Sequence, residues 1–228
     1  MKGRKRVWMI GMLGAVLVSS REAAAWLVID EFLADPPAGL AGDANRDGIR
    51  SASDDEFVEL LNTGGEEVDL SLWSLWDAQA LRHQFQPGVR LPSLQRLVVF
   101  GGGNPAGIPS FTLTASSGTL SLNNLGDEIL LKNSSKEVID HISYSDEANL
   151  DQSLNRFPDG TGPFRLHRLA SSPGLPFSPG TDPDGRNSSS TPVAPEPCTG
   201  LLFGLGFLVA NRFKLFQRGG TRFKPGTL

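Results

Sequence analysis

The chain has 228 residues, 39% of them hydrophobic, enough for one packed domain with targeting segments added. Its net charge of −4 conceals a division: residues 26–190 hold 11 Lys and Arg against 23 Asp and Glu, a net −12, while the two ends hold 10 against 2, a net +8. An acidic middle repels phosphate backbones, so no nucleic-acid partner is expected. The single cysteine, Cys198, excludes an intramolecular disulfide.

At the N-terminus, Lys2, Arg4, Lys5 and Arg6 precede an apolar run from Val7 to Val18, and Ala23-Ala24-Ala25 supplies a small-x-small cleavage pattern. This layout predicts a helical secretory signal over residues 1–25, too short for a comfortable membrane span, with the mature chain beginning near Trp26. The protein is therefore expected to be exported.

From residue 26 to 170, short β-type runs alternate with turn residues. The predicted strands are Leu27–Leu33, Glu56–Leu61, Trp73–Trp76, Arg82–Phe85, Leu97–Phe100, Thr119–Leu122, Glu128–Lys132, Val138–Tyr144 and Ser153–Phe157. Runs such as Asn62-Thr63-Gly64-Gly65 and Gly101-Gly102-Gly103-Asn104 punctuate them, the first read as a tight hairpin with positive φ angles. Spacing of about ten residues predicts an all-β sandwich or barrel. Within Glu56–Leu61, Glu59 shares a face with Phe57 and Leu61, so it sits either at a solvated sheet edge or against a buried partner.

Between the first two predicted strands lies Asp43-Ala-Asn-Arg-Asp-Gly-Ile-Arg-Ser-Ala-Ser-Asp54. Asp43, Asn45 and Asp47 occupy positions 1, 3 and 5 of a possible calcium loop. Gly48 permits the sharp turn, Ile49 offers its carbonyl, Ser51 could hold a water and Asp54 would complete the shell. Alternate residues of an extended turn deliver hard oxygens to one side, as calcium requires. The pattern resembles EF-hand and dockerin loops, departing from them in Arg50 at position 8, Asp at position 12 and the lack of flanking helices. Ca²⁺ is the predicted cofactor; a solvated Asx/Gly loop is the alternative.

The segment Asp55-Glu-Phe-Val-Glu-Leu-Leu-Asn-Thr-Gly64, followed by Val68-Asp-Leu-Ser-Leu-Trp-Ser-Leu-Trp-Asp77, resembles the opening of the lamin-tail domain. Leu97–Phe100, Leu120–Asp127, Val138–Tyr144 and Gln152–Arg156 continue the resemblance in order. It implies an immunoglobulin-like β-sandwich that works as a non-catalytic module, often exported and joined to envelope proteins or hydrolases. Trp73 is the expected aromatic centre of the sandwich, and Asp127 is expected to cap its own turn.

No Gly-x-Ser-x-Gly, His-Glu-x-x-His or P-loop pattern occurs, and no catalytic residue is assigned. The histidines are His83, His141 and His167, with His141 read as a sheet residue.

Beyond the β-region, Asp182–Pro192 reads as a linker. Pro195-Glu196-Pro197, the apolar run Leu201–Ala210 and then Arg212, Lys214 and Arg218 resemble a PEP-CTERM sorting signal, although the basic residues are spread out and a polar tail follows. That resemblance implies an exosortase-type processing enzyme as partner and a C-terminal membrane segment, with anchoring over residues 201–216.

The expected organisation is a signal over 1–25, a lamin-tail-like sandwich over 26–170, a Pro/Gly/Ser-rich linker over 171–192, a sorting segment over 193–218 and a polar tail over 219–228. The expected function is a non-catalytic, calcium-stabilised structural or interaction module at the cell surface or envelope, contacting extracellular polysaccharide or protein. A carbohydrate- or protein-binding domain using Trp76 and Phe85 is the alternative, and a calcium-dependent hydrolase a more distant one.

Overall fold

The structure is a computed structural model that describes residues 26–187. Its larger sheet has six strands in the order β12 (Phe164–Leu166), β11 (Leu154–Arg156), β1 (Leu27–Leu33), β2 (Phe57–Asn62), β7 (Arg96–Phe100) and β8 (Phe111–Thr114). The smaller sheet has four, in the order β10 (Val138–Tyr144), β9 (Asp127–Lys132), β4 (Ser74–Trp76) and β5 (Leu81–Gln84). A two-stranded ribbon, β3 (Val68–Asp69) with β6 (Arg90–Leu91), completes the architecture. Pairing is antiparallel except for β8, which lies parallel to β7.

Alternation along the strands explains the core. Leu27, Ile29, Val58, Leu60, Leu97 and Val99 point inward from the larger sheet and meet Leu75, Ile129 and Leu131 of the smaller one. Trp73, 9% exposed, belongs to this core, as its position in the sequence predicted. The all-β expectation is met, and two facing sheets around one core make an immunoglobulin-like sandwich. The sheets are tied at one corner: Arg156 donates to Asp140 at 2.9 Å and to the Ile29 carbonyl at 2.8 Å, and the Ile29 N–H donates to Asp140 at 2.8 Å.

The outer face of the larger sheet is also covered. Leu33, Phe57, Val98 and Phe100 form a second apolar cluster there, packed with Ala44 of the β1–β2 loop, Ile108 of the β7–β8 loop and Phe177 from beyond β12. A bulge between Ile29 and Glu31 turns two consecutive acids, Asp30 and Glu31, toward buried partners.

Four expectations are corrected. Thr119–Leu122 is not a strand: Ser121 has φ 51°, and the Leu122 N–H turns to the Glu56 carboxylate at 3.3 Å. Asn62–Gly65 is not a hairpin, since β2 pairs with β1 and β7 and neither Gly64 nor Gly65 has a positive φ. Gly64 is required because a Cβ there would collide with the Trp26 ring. The sandwich does not end at residue 170. Helix α1 (His167–Ala170) leads into a segment whose Ser178, Gly180 and Thr181 are buried, so the first part of the expected linker belongs to the domain. Phe85 is fully buried, in edge-to-face contact with His83, and offers no ligand platform.

Candidate functional site

The sequence-predicted loop rises from the end of β1, crosses a short 3-10 helix at Gly39–Gly42 and returns to β2. Its acids bond to the loop's own backbone. Asp43 accepts the N–H groups of Asp47 at 3.1 Å and Gly48 at 2.9 Å. Asn45 Oδ1 accepts from Asp47 at 3.0 Å, Asp47 Oδ1 accepts from Ile49 at 2.9 Å, and Ser51 Oγ accepts from Asp54 at 3.1 Å. Gly48, at φ 91°, makes the turn that brings these groups together. The Ile49 side chain stands in solvent, 70% exposed.

Sequence reasoning missed Asp55, which is fully buried and accepts from Asn45 N at 3.1 Å and Ser51 N at 2.7 Å. Burial raises its pKa, against the pull of those hydrogen bonds. It also missed the neighbour across the sheet. The Gly101–Gly103 run lies directly against the loop: a Cβ on Gly101 would meet the Ser53 carbonyl, one on Gly102 the Asp54 carboxylate, and one on Gly103 the side chains of Asn45 and Asp47. The Asn104 N–H donates to Asp47 Oδ2 at 3.1 Å, and the Ala106 N–H to the Asn45 carbonyl at 2.9 Å. The three glycines, read from sequence as a plain loop, allow one loop to seat on the other.

All the predicted donors are hard oxygens, which suits calcium chemically. Among the described residues, however, no three His, Cys, Asp or Glu side chains converge as a group able to hold a metal ion. The loop as it stands is closed by hydrogen bonds to its own N–H groups.

A second polar assembly lies on the covered face of the larger sheet. Arg96, 3% exposed, pairs with Asp30 and Asp159 at 2.5 Å each and with Glu59. Burial raises Asp30 to about 7, the Arg96 guanidinium opposing and Asp159 adding to the rise. Burial likewise holds Glu59 well above the carboxylate range, against Arg96. Glu59 therefore resolves its ambiguity in the sequence: it faces a buried partner, not a solvated edge.

Beside this group, Glu31 accepts from Ser153 Oγ at 2.6 Å and from the N–H and Oγ of Ser178 at 2.9 Å each. His167 Nδ1 stands 3.2 Å from Glu31, an ion pair when the imidazole is protonated. Its Nε2 lies 3.2 Å from the Pro183 carbonyl, which can only accept, so Nε2 carries a proton. Burial alone would lower the His167 pKa, but the Glu31 carboxylate prevails and raises it; Glu31, despite its own burial, is lowered by His167. Glu59 accepts the Gly180 N–H at 2.6 Å. Residues 178–180 thus close over both acids.

Neither of two Ser, His and Glu groups has the order of a Ser-His-Asp triad. Glu31 lies between Ser153 and His167, and on the surface Ser143 lies between His141, 3.3 Å away, and Glu128, 3.4 Å away. In that triad the histidine stands in the middle, between the serine and the acid. Trp76 is half-buried, its Nε1 donating to Ser74 Oγ at 2.9 Å and the Lys132 ammonium 4.3 Å from its ring centroid. Asp127 caps its own turn through Asn123 N at 3.2 Å and also accepts from Ala78 N at 3.1 Å.

The expected signal over 1–25 and the sorting motif Pro195, Glu196 and Pro197, with the apolar run after it, lie outside the described residues. Among the described residues no helix is long and apolar enough to cross a membrane.

A family profile described as the lamin tail domain matches residues 20–146, more than half of the chain. The match ends before β11, β12 and the segment over Glu31 and Glu59. No curated protein matches the chain.

Proposed function

The chain belongs to the lamin tail domain family, and from that premise we propose that it is an exported, non-catalytic structural or interaction module, displayed at the cell envelope or in the extracellular matrix. The observation that carries this reading is where the perturbed ionisable groups of the larger sheet lie. Asp30, Glu31, Glu59 and His167 are all buried and bonded to the domain's own serines, glycines and arginine, an inward and structural use of charge. The family is generally non-catalytic, which agrees. Export is supported by the basic and apolar residues before Trp26, and envelope attachment by the Pro195-Glu196-Pro197 pattern with the basic run that follows; an exosortase-type enzyme would be the processing partner.

Calcium belongs to the same proposal. Asp43, Asn45, Asp47, Ile49, Ser51 and Asp54 would supply the oxygens, and an exported domain with a net charge of −12 would gain from a cation. Because the loop is already closed by hydrogen bonds, calcium would stiffen a formed structure and not create one.

The test is cell fractionation with mass spectrometry of the chain's two ends. An envelope or extracellular protein beginning near Trp26 is expected. A cytoplasmic protein retaining residues 1–25 would refute export.

A further inference from the structure

The two outer faces of the sandwich differ. That of the six-stranded sheet is covered by three segments. On that of the four-stranded sheet, the described side chains are exposed or half-exposed, apart from Ser74, which bonds the Trp76 indole. Strand register there aligns His141, Leu130, Trp76 and Leu81 in one row across all four strands. With strands about 4.8 Å apart, that row spans roughly 14 Å. Lys132 and Gln84 border it on one side, Glu128 and Ser143 on the other.

We propose that this face, centred on Trp76, binds an uncharged polysaccharide laid across the strands. This names the partner of the interaction module proposed above and rests on that reading. A sugar ring has an apolar C–H side and a rim of hydroxyls; the row offers an indole flanked by two leucines, bordered by an amide, a hydroxyl, an imidazole, an ammonium and a carboxylate. Aromatic area with a few placed polar groups is how small-molecule and sugar sites gain both affinity and orientation. The charges of Lys132 and Glu128 cancel, so the face selects neither a polyanion nor a polycation. The row crosses all four strands, a length that suits a polymer better than a single sugar. Lys132 rests on the ring in the free protein and is the group a sugar would displace.

The experiment uses the full chain. Its retention is measured on insoluble cellulose, chitin and β-1,3-glucan, and by affinity electrophoresis in soluble neutral glucan, with alginate and hyaluronate as anionic probes. Trp76→Ala, Gln84→Ala and Lys132→Ala are compared, each with a thermal melt. The expected result is retention by at least one neutral polymer, weakened tenfold or more by Trp76→Ala and several-fold by Gln84→Ala, an exposed position whose change leaves the melt unmoved. Lys132→Ala keeps the neutral binding. Retention by no neutral polymer, full binding by the Trp76 and Gln84 variants, or binding confined to alginate or hyaluronate and lost with Lys132, would each overturn the assignment. The module reading fails on a different measurement, the location and ends of the mature chain.

Discussion

Among the described residues, Arg96 is the cation that the three acids Asp30, Glu59 and Asp159 share. An uncompensated buried charge is costly, and removing one member of a buried ionic group typically costs about 3–5 kcal/mol. Arg96→Met is expected to lose stability in that range by urea unfolding. A loss under about 1 kcal/mol would mean that the acids neutralise by taking up protons. The same groups set a pH dependence. Asp30, Glu59 and His167 all have raised pKa values, so their contributions are complete below the unfolded values of 3.8, 4.5 and 6.5 and are lost as pH rises through the folded ones, about 7 for Asp30. Glu56, raised by burial to about 8, acts in the same direction. Glu31 is lowered, so its contribution holds above 4.5 and is lost as pH falls through its folded pKa. Thermal melts should therefore peak at about pH 4–5 and decline toward pH 8; a midpoint that keeps rising to pH 8 would contradict the assignment.

The element with most to reveal is the Asp43–Asp55 loop seated on Gly101–Gly103. If calcium binds it, saturating ion at a hundredfold excess over Kd adds about 2.7 kcal/mol, which for a domain of this size is a rise in Tm of roughly 5–10 °C. Chelator should reverse the shift, and an unmoved midpoint would end the calcium proposal. At this scale the sequence was readable where period-2 alternation survives: Leu27–Leu33 and Val138–Tyr144 form strands with the predicted ends. β8 was not seen, because its one strand partner lies in parallel across a loop of Gly and Pro residues and half its side chains face solvent. The loop's spacing was legible, but Asp55, its buried hub, was not, since nothing in the pattern separates it from Asp54. The triple glycine could not be linked to the acids, as that contact joins residues more than fifty positions apart.

For the whole molecule, the matched family region is not the whole fold. Residues after 146 supply β11, β12 and α1, and residues 177–180 cover Phe57, Glu31 and Glu59. Their composition of Pro, Gly and Ser reads as linker because, Phe177 apart, the segment is held by hydrogen bonds from Ser178 and Gly180 and not by apolar side chains. Hydrogen bonds to charged groups are worth about 1.5–3 kcal/mol each. A chain ending at 187 is expected to unfold cooperatively, one ending at 170 to lose several kcal/mol, and one ending at 146 not to fold; heteronuclear NMR spectra of the three would decide, and a folded 146-residue chain would refute this.

Glu31 and Ser178 stand 147 positions apart in the sequence. A ribosome adding about 5–20 residues per second needs on the order of ten seconds to pass from one to the other. For that interval β1 exists with its acids uncovered, and high contact order makes final closure slow in addition. The cover over Glu31 and Glu59 is thus among the last parts of the described domain to be made.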